Sequence, residues 1–312
     1  MRPHIPAEFT ARVRFDEPMS QHTSWHAGGP ADALFTPRDA EDLAAFLRAL
    51  PRQVPLFWVG LGSNLLVREG GIRGVVIATP GAFTRIEQRP PHAVYCEAGV
   101  PCARIARLCV NWGLSQGEFF SGIPGTLGGA LAMNAGAFGD ETWRHVVSAD
   151  TIDRHGERRT RSAQEFRAGY RQVEWPGDAT EEWFLSAELR FTPQATQPQH
   201  SVQALLERRR STQPLGRWSC GSVFKNPTGD HAARLIEAAS LKGYRIGDAV
   251  VSDKHANFIV NLGNASASDL EQLIRHVQAT VQRTAGVMLE PEVRIVGEPI
   301  APAAVSANGG RH

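Results

Sequence analysis

Two glycine-rich segments are the first residues whose spacing points to chemistry. Residues 60–64 (GLGSN) follow an apolar run, and residues 121–129 (SGIPGTLGG) lead into a short apolar stretch. Glycine lets a backbone turn tightly and approach a ligand closely, and successive amides can form a concave site for an anion. A short helix beginning near Thr126 would also aim its free N–H groups at a phosphate. The two segments therefore predict a diphosphate site.

Neither segment has the remaining features of the commonest nucleotide-binding motifs. The second lacks the lysine that a P-loop uses on phosphates, which argues against hydrolysis of a nucleoside triphosphate. No helix follows the first, as the dinucleotide-binding fingerprint requires. Close packing explains both segments as well: a plain strand–turn–strand at residues 60–64, and a helix lying tightly on a sheet at residues 121–129.

Three further residues carry groups that can handle a carboxylate or a proton, although their surroundings alone do not single them out. Arg171 has a planar guanidinium that can hold a carboxylate with two charge-assisted bonds, but arginines are frequent around it. Strand alternation would put Glu290, Glu292 and Arg294 on one face, where a solvated ion pair is the plainer interpretation. Ser222 lies among turn-forming residues and is uninformative by itself.

The elements that must position these residues alternate between strands and helices along the whole chain. Apolar runs bounded by glycine and proline predict strands at residues 57–59, 75–78, 93–97, 257–261 and 293–296. Helical spacing predicts helices from Thr36 to Leu50, from Pro101 to Gly113, at 202–210 and 231–239, and a long one after Ser268, with Thr36 and Ser268 as N-caps. The polar segment 192–200 (TPQATQPQH) is the candidate linker.

Length and composition limit the class of protein. A chain of 312 residues is about twice a typical domain, so two domains are expected. Its 33 basic and 32 acidic residues give a net charge of +1, which provides no overall field for a nucleic acid or an anionic membrane. No apolar run is long enough to cross a bilayer, and the first residues lack a secretory signal. Four irregularly spaced cysteines argue against a disulfide framework or a zinc site. We expect a cytoplasmic protein without a bound metal.

Seven segments, in order along the chain, resemble the UDP-N-acetylenolpyruvoylglucosamine reductase family. They are residues 23–32 (TSWHAGGPAD), 60–67 (GLGSNLLV), 122–139, 221–227 (GSVFKNP), 235–243, 251–258 (VSDKHANF) and 289–294 (LEPEVR). Each segment alone is a weak signal, but the ordered set extends over most of the chain and is specific. The overall length resembles the shorter form of the family.

The resemblance implies an α+β fold with an FAD-binding region of the vanillyl-alcohol-oxidase type, made of two subdomains, followed by a smaller α+β substrate-binding domain. We set the FAD-binding region at residues 1–199, divided near residue 80, the substrate-binding domain at 200–298 and a disordered tail at 299–312. The implied reaction reduces the enolpyruvyl ether of a UDP-sugar to UDP-N-acetylmuramate for peptidoglycan, with FAD as cofactor and NADPH as hydride donor. We expect a monomer that binds this small substrate and neither nucleic acid nor membrane.

The same resemblance assigns roles to individual residues. It implies that Arg171 contacts the enolpyruvyl carboxylate, that Ser222 donates the proton to C2, and that Glu292 is the third catalytic residue. Substrate contacts are implied at Tyr170, Arg210, Gln213, Lys225, Asn226 and Lys254. FAD contacts are implied at Gly60, Leu61, Gly62, Ser63, Asn64, Leu65, Gly122, Ile123, Pro124, Gly125, Thr126, Gly128, Gly129, Asn134, Ala135 and Gly136. One departure is Val173, where the family usually has serine.

Two other functions remain open at this point. An oxidase of the same fold that uses dioxygen would often carry a histidine or cysteine tether for the flavin, and His22 and His26 lie near the first glycine segment. A sensor of UDP-sugars or nucleotides would keep the fold without turnover. The segments of the substrate domain oppose the oxidase. The joint presence of Arg171, Ser222 and Glu292 opposes the sensor, because a sensor needs no proton donor.

Overall fold

The computed structural model describes residues 2–177, 179, 181–193 and 202–299. Within them the helices are α1 (Ala7–Thr10), α2 (Ala40–Ala49), α3 (Cys102–Asn111), α4 (Leu127–Met133), α5 (Val202–Thr212), α6 (Ala232–Ala238) and α7 (Ala267–Ala285). Strands and helices interleave, as predicted. The expected linker after Pro193 and the expected tail after Pro299 lie outside the described residues.

The strands in these residues form three larger sheets and four two-stranded pairs. They are β1 (Val13–Pro18), β2 (Pro30–Phe35), β3 (Leu56–Val59), β4 (Leu65–Val67), β5 (Ile72–Ala78), β6 (Ile86–Arg89), β7 (Ala93–Glu97), β8 (Leu114–Ser115), β9 (Gly136–Ala137), β10 (Asp140–Glu141), β11 (Val146–Asp153), β12 (Arg158–Ser162), β13 (Arg167–Gly169), β14 (Gln172–Glu174), β15 (Glu182–Arg190), β16 (Thr192–Pro193), β17 (Arg245–Ile246), β18 (Ala249–Val251), β19 (Ile259–Asn261) and β20 (Arg294–Val296).

The first sheet has the strand order β1-β2-β5-β3. β1 runs antiparallel to β2, whereas β2, β5 and β3 are parallel. Parallel strands of one sheet need a crossover connection, and α2 provides the one between β2 and β3, which lie on either side of β5. The ring of Phe46 on α2 stacks on that of Phe35 on β2, with the ring centres 4.0 Å apart. This packing fixes the strand β3 that leads into the first glycine segment.

The second sheet is antiparallel throughout and has the order β12-β11-β15-β7-β6. α3 and α4 pack on it through an apolar cluster that includes the fully buried Ile105 and Cys109. The N–H of Gly128 in α4 donates to the carbonyl oxygen of Ala98, just after β7, at 2.8 Å. The predicted helix of the second glycine segment is therefore confirmed, with Thr126 as its N-cap residue.

Two predicted helix starts are wrong by two or three residues. α2 is capped by Asp39 rather than Thr36, since the Asp39 carboxylate accepts a backbone N–H of the first turn at 2.8 Å. α7 is capped by Ser266 rather than Ser268, because the Ser266 hydroxyl accepts the N–H of Asp269 and the Asp269 carboxylate accepts the N–H of Ser266, both at 3.0 Å. The apolar faces predicted for both helices are buried, so the errors are confined to the first turns.

The C-terminal sheet, β17-β18-β19, shares its core with residues from far upstream. Trp25 is fully buried in this core, and its indole N–H donates to the carbonyl oxygen of Ile259 at 2.8 Å. The Asn261 amide donates to the carbonyl oxygen of Trp25, also at 2.8 Å. β20 pairs in parallel with β4, which directly follows the first glycine segment. The last strand of the described residues thus lies beside the first candidate ligand loop.

Candidate functional site

The two glycine segments meet at one cavity of about 420 Å³. Ten of the residues expected to contact the cofactor line this cavity: Gly60, Leu61, Gly62, Ser63, Asn64, Leu65, Gly125, Thr126, Gly128 and Gly129. The other six do not line it: Gly122, Ile123, Pro124, Asn134, Ala135 and Gly136. The two glycine segments thus share one cavity, and the FAD contacts expected in them stay predictions.

Close packing explains why glycine occupies several positions of the cavity wall. At Gly62 the φ angle is +60°, and an added Cβ would lie 1.9 Å from the carbonyl oxygen of His22. An added Cβ on Gly60 would lie 2.7 Å from Oγ1 of Thr126, so the two segments are in contact. At Gly129, by contrast, no described atom lies within 4 Å of an added Cβ. The backbone of α4 is therefore open to a ligand at Gly129.

Two buried donors in the cavity wall have no hydrogen-bond partner among the described residues. They are the hydroxyl of Thr126 and the indole N–H of Trp58. Leaving such a donor unpaired costs about 1–3 kcal/mol, so a bound acceptor would stabilise the structure. Trp58 also stacks on Trp183, with the ring centres 4.9 Å apart, which makes one end of the cavity aromatic. Sequence reasoning missed both tryptophans, although the apolar run of β3 contains the first.

Arg294 is the one positively charged residue among the described residues of the cavity wall. The backbone N–H of Arg294, at the start of β20, donates to the carbonyl oxygen of Asn64 at 3.1 Å. The expected common face of Glu290, Glu292 and Arg294 is wrong, because the regular strand begins only at Arg294. The Glu290 side chain is 69% exposed and that of Glu292 14% exposed. Glycine loops, unpaired donors and one guanidinium together fit a diphosphate-containing ligand.

Arg171 lies at the tip of the hairpin β13–β14, in a two-residue turn. Its φ angle is +56°, in the left-handed region that glycine or asparagine usually occupies. On the same hairpin, Val173 packs against the apolar cluster of the second sheet, so an apolar side chain suits that position. A strained backbone at a charged residue is a frequent sign of a functional site.

The structure brings Arg171 and Glu292 together. Nε of Arg171 lies 2.9 Å from Oε1 of Glu292. The N–H does not point at that oxygen, so the contact is an ion pair rather than a directed hydrogen bond. Nη2 of Arg171 donates to the carbonyl oxygen of Gly136 at 3.2 Å. The rest of the guanidinium fork has the geometry to hold a ligand carboxylate.

Burial raises the pKa of Glu292 above its ordinary value, and the positive charges of Arg171 and Lys225 oppose this rise. Lys225 itself pairs with the exposed Glu290, at 2.5 Å between Nζ and Oε1. A carboxyl group with a raised pKa keeps its proton to higher pH than usual. Glu292 is therefore protonated up to a higher pH than an exposed glutamate.

Ser222 is a neighbour of Glu292 through a short backbone pairing. The N–H of Glu292 donates to the carbonyl oxygen of Val223 at 2.8 Å, and Phe224 forms an isolated bridge with Pro291. Ser222 is partly exposed, and within the described chain its hydroxyl makes no hydrogen bond to protein. Three residues predicted as catalytic thus lie in adjoining segments, with Glu292 between the other two.

Tyr170, Lys225 and Asn226, three of the predicted substrate contacts, adjoin this group. The N–H of Asn226 donates to the hydroxyl of Tyr170 at 3.4 Å. The guanidinium carbon of Arg171 lies 5.4 Å from the centre of the Tyr170 ring. The Tyr170 side chain is largely exposed, so it can contact a ligand that approaches Arg171 from solvent.

The remaining predicted substrate contacts, Arg210, Gln213 and Lys254, lie together around the end of α5. The ammonium group of Lys254 donates to the carbonyl oxygen of Arg210. Gln213 accepts a hydrogen bond from Nε of Arg209 at 3.0 Å. Arg209, which sequence reasoning missed, also donates to the carbonyl oxygen of Ser121 at 3.0 Å, and burial lowers its pKa. This second group therefore touches the start of the second glycine segment.

The predicted cofactor contacts outside the cavity wall hold neighbouring segments together. An added Cβ on Gly122 would lie 2.3 Å from Cβ of Ala137, so close packing requires glycine there. Ile123 is part of the apolar cluster of the second sheet. Asn134 ends α4 and donates from Nδ2 to the carbonyl oxygen of Gly169 at 3.0 Å. These contacts join α4 to the hairpin that carries Arg171.

The part of the chain that the structure describes contains neither a candidate metal site nor a helix that could span a membrane. No group of three or more His, Cys, Asp or Glu side chains could hold a metal ion there. No helix in the same residues is long and apolar enough to cross a membrane. The four cysteines are buried, and burial raises the pKa of each thiol. They act as apolar packing groups.

Comparisons with known proteins match both halves of the chain. Residues 31–162 match the FAD binding domain family, and residues 213–296 match the C-terminal domain of UDP-N-acetylenolpyruvoylglucosamine reductase. The chain is 57% identical over 289 residues to the UDP-N-acetylenolpyruvoylglucosamine reductase of Alkalilimnicola ehrlichii, covering 92% of this chain and 95% of that protein. Identity to the enzyme of that name from Methylococcus capsulatus is 55%, covering 90% and 92%. A crystal structure of UDP-N-acetylenolpyruvylglucosamine reductase from Thermus caldophilus aligns with a TM-score of 0.76 and 31% identity, covering 91% of this chain and 97% of that one.

Proposed function

The chain belongs to the UDP-N-acetylenolpyruvoylglucosamine reductase family, and from this premise we propose how its own residues perform the reaction. It is an FAD-dependent oxidoreductase that uses NADPH to reduce the enolpyruvyl ether of UDP-N-acetylglucosamine enolpyruvate to UDP-N-acetylmuramate, for peptidoglycan. The observation that carries the residue-level proposal is the Arg171–Glu292 pair, which adjoins the cavity. The Asn64 amide of the cavity wall donates to the carbonyl oxygen of Glu292 at 3.0 Å.

We infer that the cavity between the glycine segments holds FAD. Thr126 would donate a hydrogen bond to the cofactor, Arg294 would neutralise part of its negative charge, and the stacked Trp58 and Trp183 would contact an aromatic ring. The bound cofactor would supply the hydride chemistry that links NADPH to C3 of the enolpyruvyl group. The six expected FAD contacts outside the cavity wall remain predictions.

Arg171 binds the substrate carboxylate in this proposal. Hydride addition at C3 leaves negative charge on C2 and on the carboxylate, and an ionised guanidinium stabilises that charge. The ion pair with Glu292 fixes the direction of the guanidinium. When protonated, Glu292 releases this pair and donates a hydrogen bond to the carboxylate oxygens, and the burial that raises its pKa extends this protonated form to higher pH.

Ser222 donates the proton to C2. A serine hydroxyl is a weak acid in water, but the developing carbanion is strongly basic, and cations nearby lower the cost of ionising the hydroxyl. Arg171 and Lys225 provide these cations. The hydroxyl has no protein partner among the described residues, which supports a role toward a ligand.

The other predicted contacts divide between two parts of the substrate. Tyr170, Lys225 and Asn226, which adjoin Arg171, contact the sugar near the enolpyruvyl group. The group around the end of α5 contacts the diphosphate or the uridine: Arg210, Gln213 and Lys254. The charge of that second group suits a diphosphate.

We further propose the domain limits expected from the sequence: an FAD-binding region over residues 1–199, divided near residue 80, and a substrate-binding domain over 200–298. The separation of the first sheet, whose strands end at residue 78, from the second, which begins at residue 86, supports the division. The protein acts as a monomer in the cytoplasm, where its charged nucleotide-linked substrate and donor are available, and it needs neither nucleic acid nor membrane.

The two alternative functions are not favoured. A flavin tether at His22 or His26 would need a side chain that is not otherwise engaged. His22 pairs with Glu17 at 2.8 Å, and the ring of His26 packs at a tilt against that of Trp218, with the ring centres 4.5 Å apart. The relatives over most of the chain are named as reductases, which opposes both an oxidase and a sensor without turnover.

The Ser222→Ala variant tests the residue-level proposal. It should purify with FAD and accept hydride from NADPH at the wild-type rate, while reoxidation of the reduced flavin by the enolpyruvyl substrate slows by roughly two to four orders of magnitude. Ser222→Cys should recover part of the rate, because a thiol also donates a proton. Stopped-flow absorbance of the flavin follows both half-reactions.

Ser219→Ala, in the same segment, is the matched control and should behave as wild type. Reoxidation of Ser222→Ala at the wild-type rate would assign the proton to another group. A folded wild-type preparation that is colourless and cannot be reconstituted with FAD would contradict the cofactor assignment itself.

A further inference from the structure

Asn134 contacts the hairpin of Arg171 rather than the cavity. It is buried, with 1% of its surface exposed, and it ends α4 with a φ angle of +44°. Its Nδ2 donates to the carbonyl oxygen of Gly169, the residue before the turn, at 3.0 Å. Its Oδ1 accepts the N–H of Trp143 at 3.0 Å, so both ends of the amide are engaged. Two residues later, the carbonyl oxygen of Gly136 accepts Nη2 of Arg171.

The turn needs this support because its backbone is unfavourable for arginine. A left-handed conformation costs a residue with a Cβ about 1–2 kcal/mol. Such a conformation persists only where the surrounding structure holds it in place. Two contacts from the end of α4, the Asn134 amide on one side of the turn and the Gly136 carbonyl on the guanidinium, do so here. The guanidinium that pairs with Glu292 is therefore already restricted in its direction.

We propose that Asn134 is a positioning residue for Arg171: its amide holds the hairpin tip so that the guanidinium faces Glu292 and the carboxylate of the substrate. The proposal rests on the proposed function of Arg171. Asparagine suits this position because it tolerates the left-handed region and carries both a donor and an acceptor. Asn134 touches no reacting atom in this arrangement and acts through Arg171.

Two substitutions separate the contacts of Asn134. Asn134→Asp keeps an acceptor for the N–H of Trp143 but loses the donor to Gly169. Asn134→Gly keeps the left-handed conformation, loses both bonds and introduces no charge. Once loaded with FAD, both variants should accept hydride from NADPH at the wild-type rate. Reoxidation by a subsaturating concentration of the enolpyruvyl substrate should slow on the order of tenfold to a hundredfold, because small displacements of a substrate-holding group are costly.

Glu174→Ala is the matched control, since Glu174 is an exposed residue of the same hairpin, and it should leave both half-reactions unchanged. The decisive measurement repeats Asn134→Gly and Asn134→Asp in an Arg171→Ala background. If Asn134 acts through Arg171, the second substitution slows reoxidation no further, and the double-mutant cycle is strongly non-additive. If Asn134 only stabilises the fold, the slowing is the same in both backgrounds, and the proposal is overturned.

The outcomes also distinguish this proposal from the function on which it rests. An Arg171→Ala enzyme that reoxidises at the wild-type rate would overturn the role of Arg171, and with it the positioning role. A slow Arg171→Ala enzyme beside Asn134 variants that react normally would overturn the positioning role alone. The thermal midpoint and FAD content of each variant show whether a slow reaction comes from loss of fold or cofactor.

Discussion

Replacing Arg171 by lysine tests whether this site needs a guanidinium or only a positive charge. Lysine keeps the charge beside Glu292 but has no planar fork. It also loses the bond that Nη2 donates to the carbonyl oxygen of Gly136 at 3.2 Å. We expect Arg171→Lys to retain FAD and to be reduced normally by NADPH, but to return hydride slowly to the enolpyruvyl substrate.

The magnitude follows from the bonds that Arg171 loses. A hydrogen bond to a charged group contributes about 1.5–3 kcal/mol. The substitution removes one bond of the fork to the substrate carboxylate and loosens the group that makes the other, because the Gly136 anchor is gone. Together these changes cost on the order of 3 kcal/mol in the transition state, and at about 1.36 kcal/mol for each factor of ten this is roughly a hundredfold in rate.

The assay reduces the enzyme with NADPH without oxygen, mixes it with the substrate and follows flavin absorbance by stopped flow. Arg167→Lys, an exposed position on the same hairpin, is the matched control and should react as wild type. Equal losses in flavin reduction and reoxidation would mean that Arg171 supports folding or NADPH binding. An unchanged reoxidation rate would mean that charge alone is sufficient, and the reasoning from the planar fork would be refuted.

Two further predictions concern Glu292 and the backbone of α4. Because burial raises the pKa of Glu292, wild-type reoxidation should fall as pH rises through that pKa, and Glu292→Gln, which cannot ionise, should lose this limb of the pH–rate profile. A pKa of Glu292 that is higher in the folded than in the unfolded state also means that the free energy of unfolding decreases as pH rises through the folded-state pKa. The thermal midpoint of Glu292→Gln should therefore depend less on pH in this range than that of wild type. An equal pH dependence would count against the raised pKa. Gly129→Val should keep the apoprotein's thermal midpoint, because the new side chain would meet no other atom of the described residues. It should weaken FAD binding, measured by flavin release on dilution, because the side chain would fill part of the cavity that the cofactor needs. Gly128→Val should lower both quantities, since its Cβ would lie 3.0 Å from Cβ of Ala98; wild-type FAD retention by Gly129→Val would contradict the cavity assignment.

Regular periodicity accounts for the parts of the fold that could be predicted. β7 spans residues 93–97 as expected, and α3 begins directly after Pro101. The two-residue strands β9 and β10 were not predicted, because two residues carry no periodic signal. Nor does any local pattern show that Trp25 belongs to the C-terminal core, since that contact depends on how distant parts of the chain pack.

The residues of the candidate site likewise fall into those that a local sequence pattern predicts and those whose position depends on distant contacts. Glycine loops have a local requirement for close approach, so residues 60–65 could be recognised from the sequence as a candidate ligand loop, and they line the cavity. Arg171 was identified only by resemblance, because local rules favour glycine or asparagine in a left-handed turn. Arg294 was missed as a cavity residue because its position depends on the parallel pairing of β20 with β4, two strands that are far apart in the sequence.

The two hydrogen bonds between Trp25 and β19 limit the order in which parts of the protein can fold during synthesis. The two bonds join residues 234 and 236 positions apart, and the bond from Asn64 to the Glu292 carbonyl spans 228 positions. At roughly 5–20 residues per second, Trp25 leaves the ribosome about 12 seconds or more before its partners exist. During that time a tryptophan that is fully buried in the finished protein is exposed to other chains, so we expect nascent chains to depend on a chaperone that covers it. The Arg171–Glu292 pair can then form only late in synthesis, after the segment that precedes β20 has emerged with Glu292.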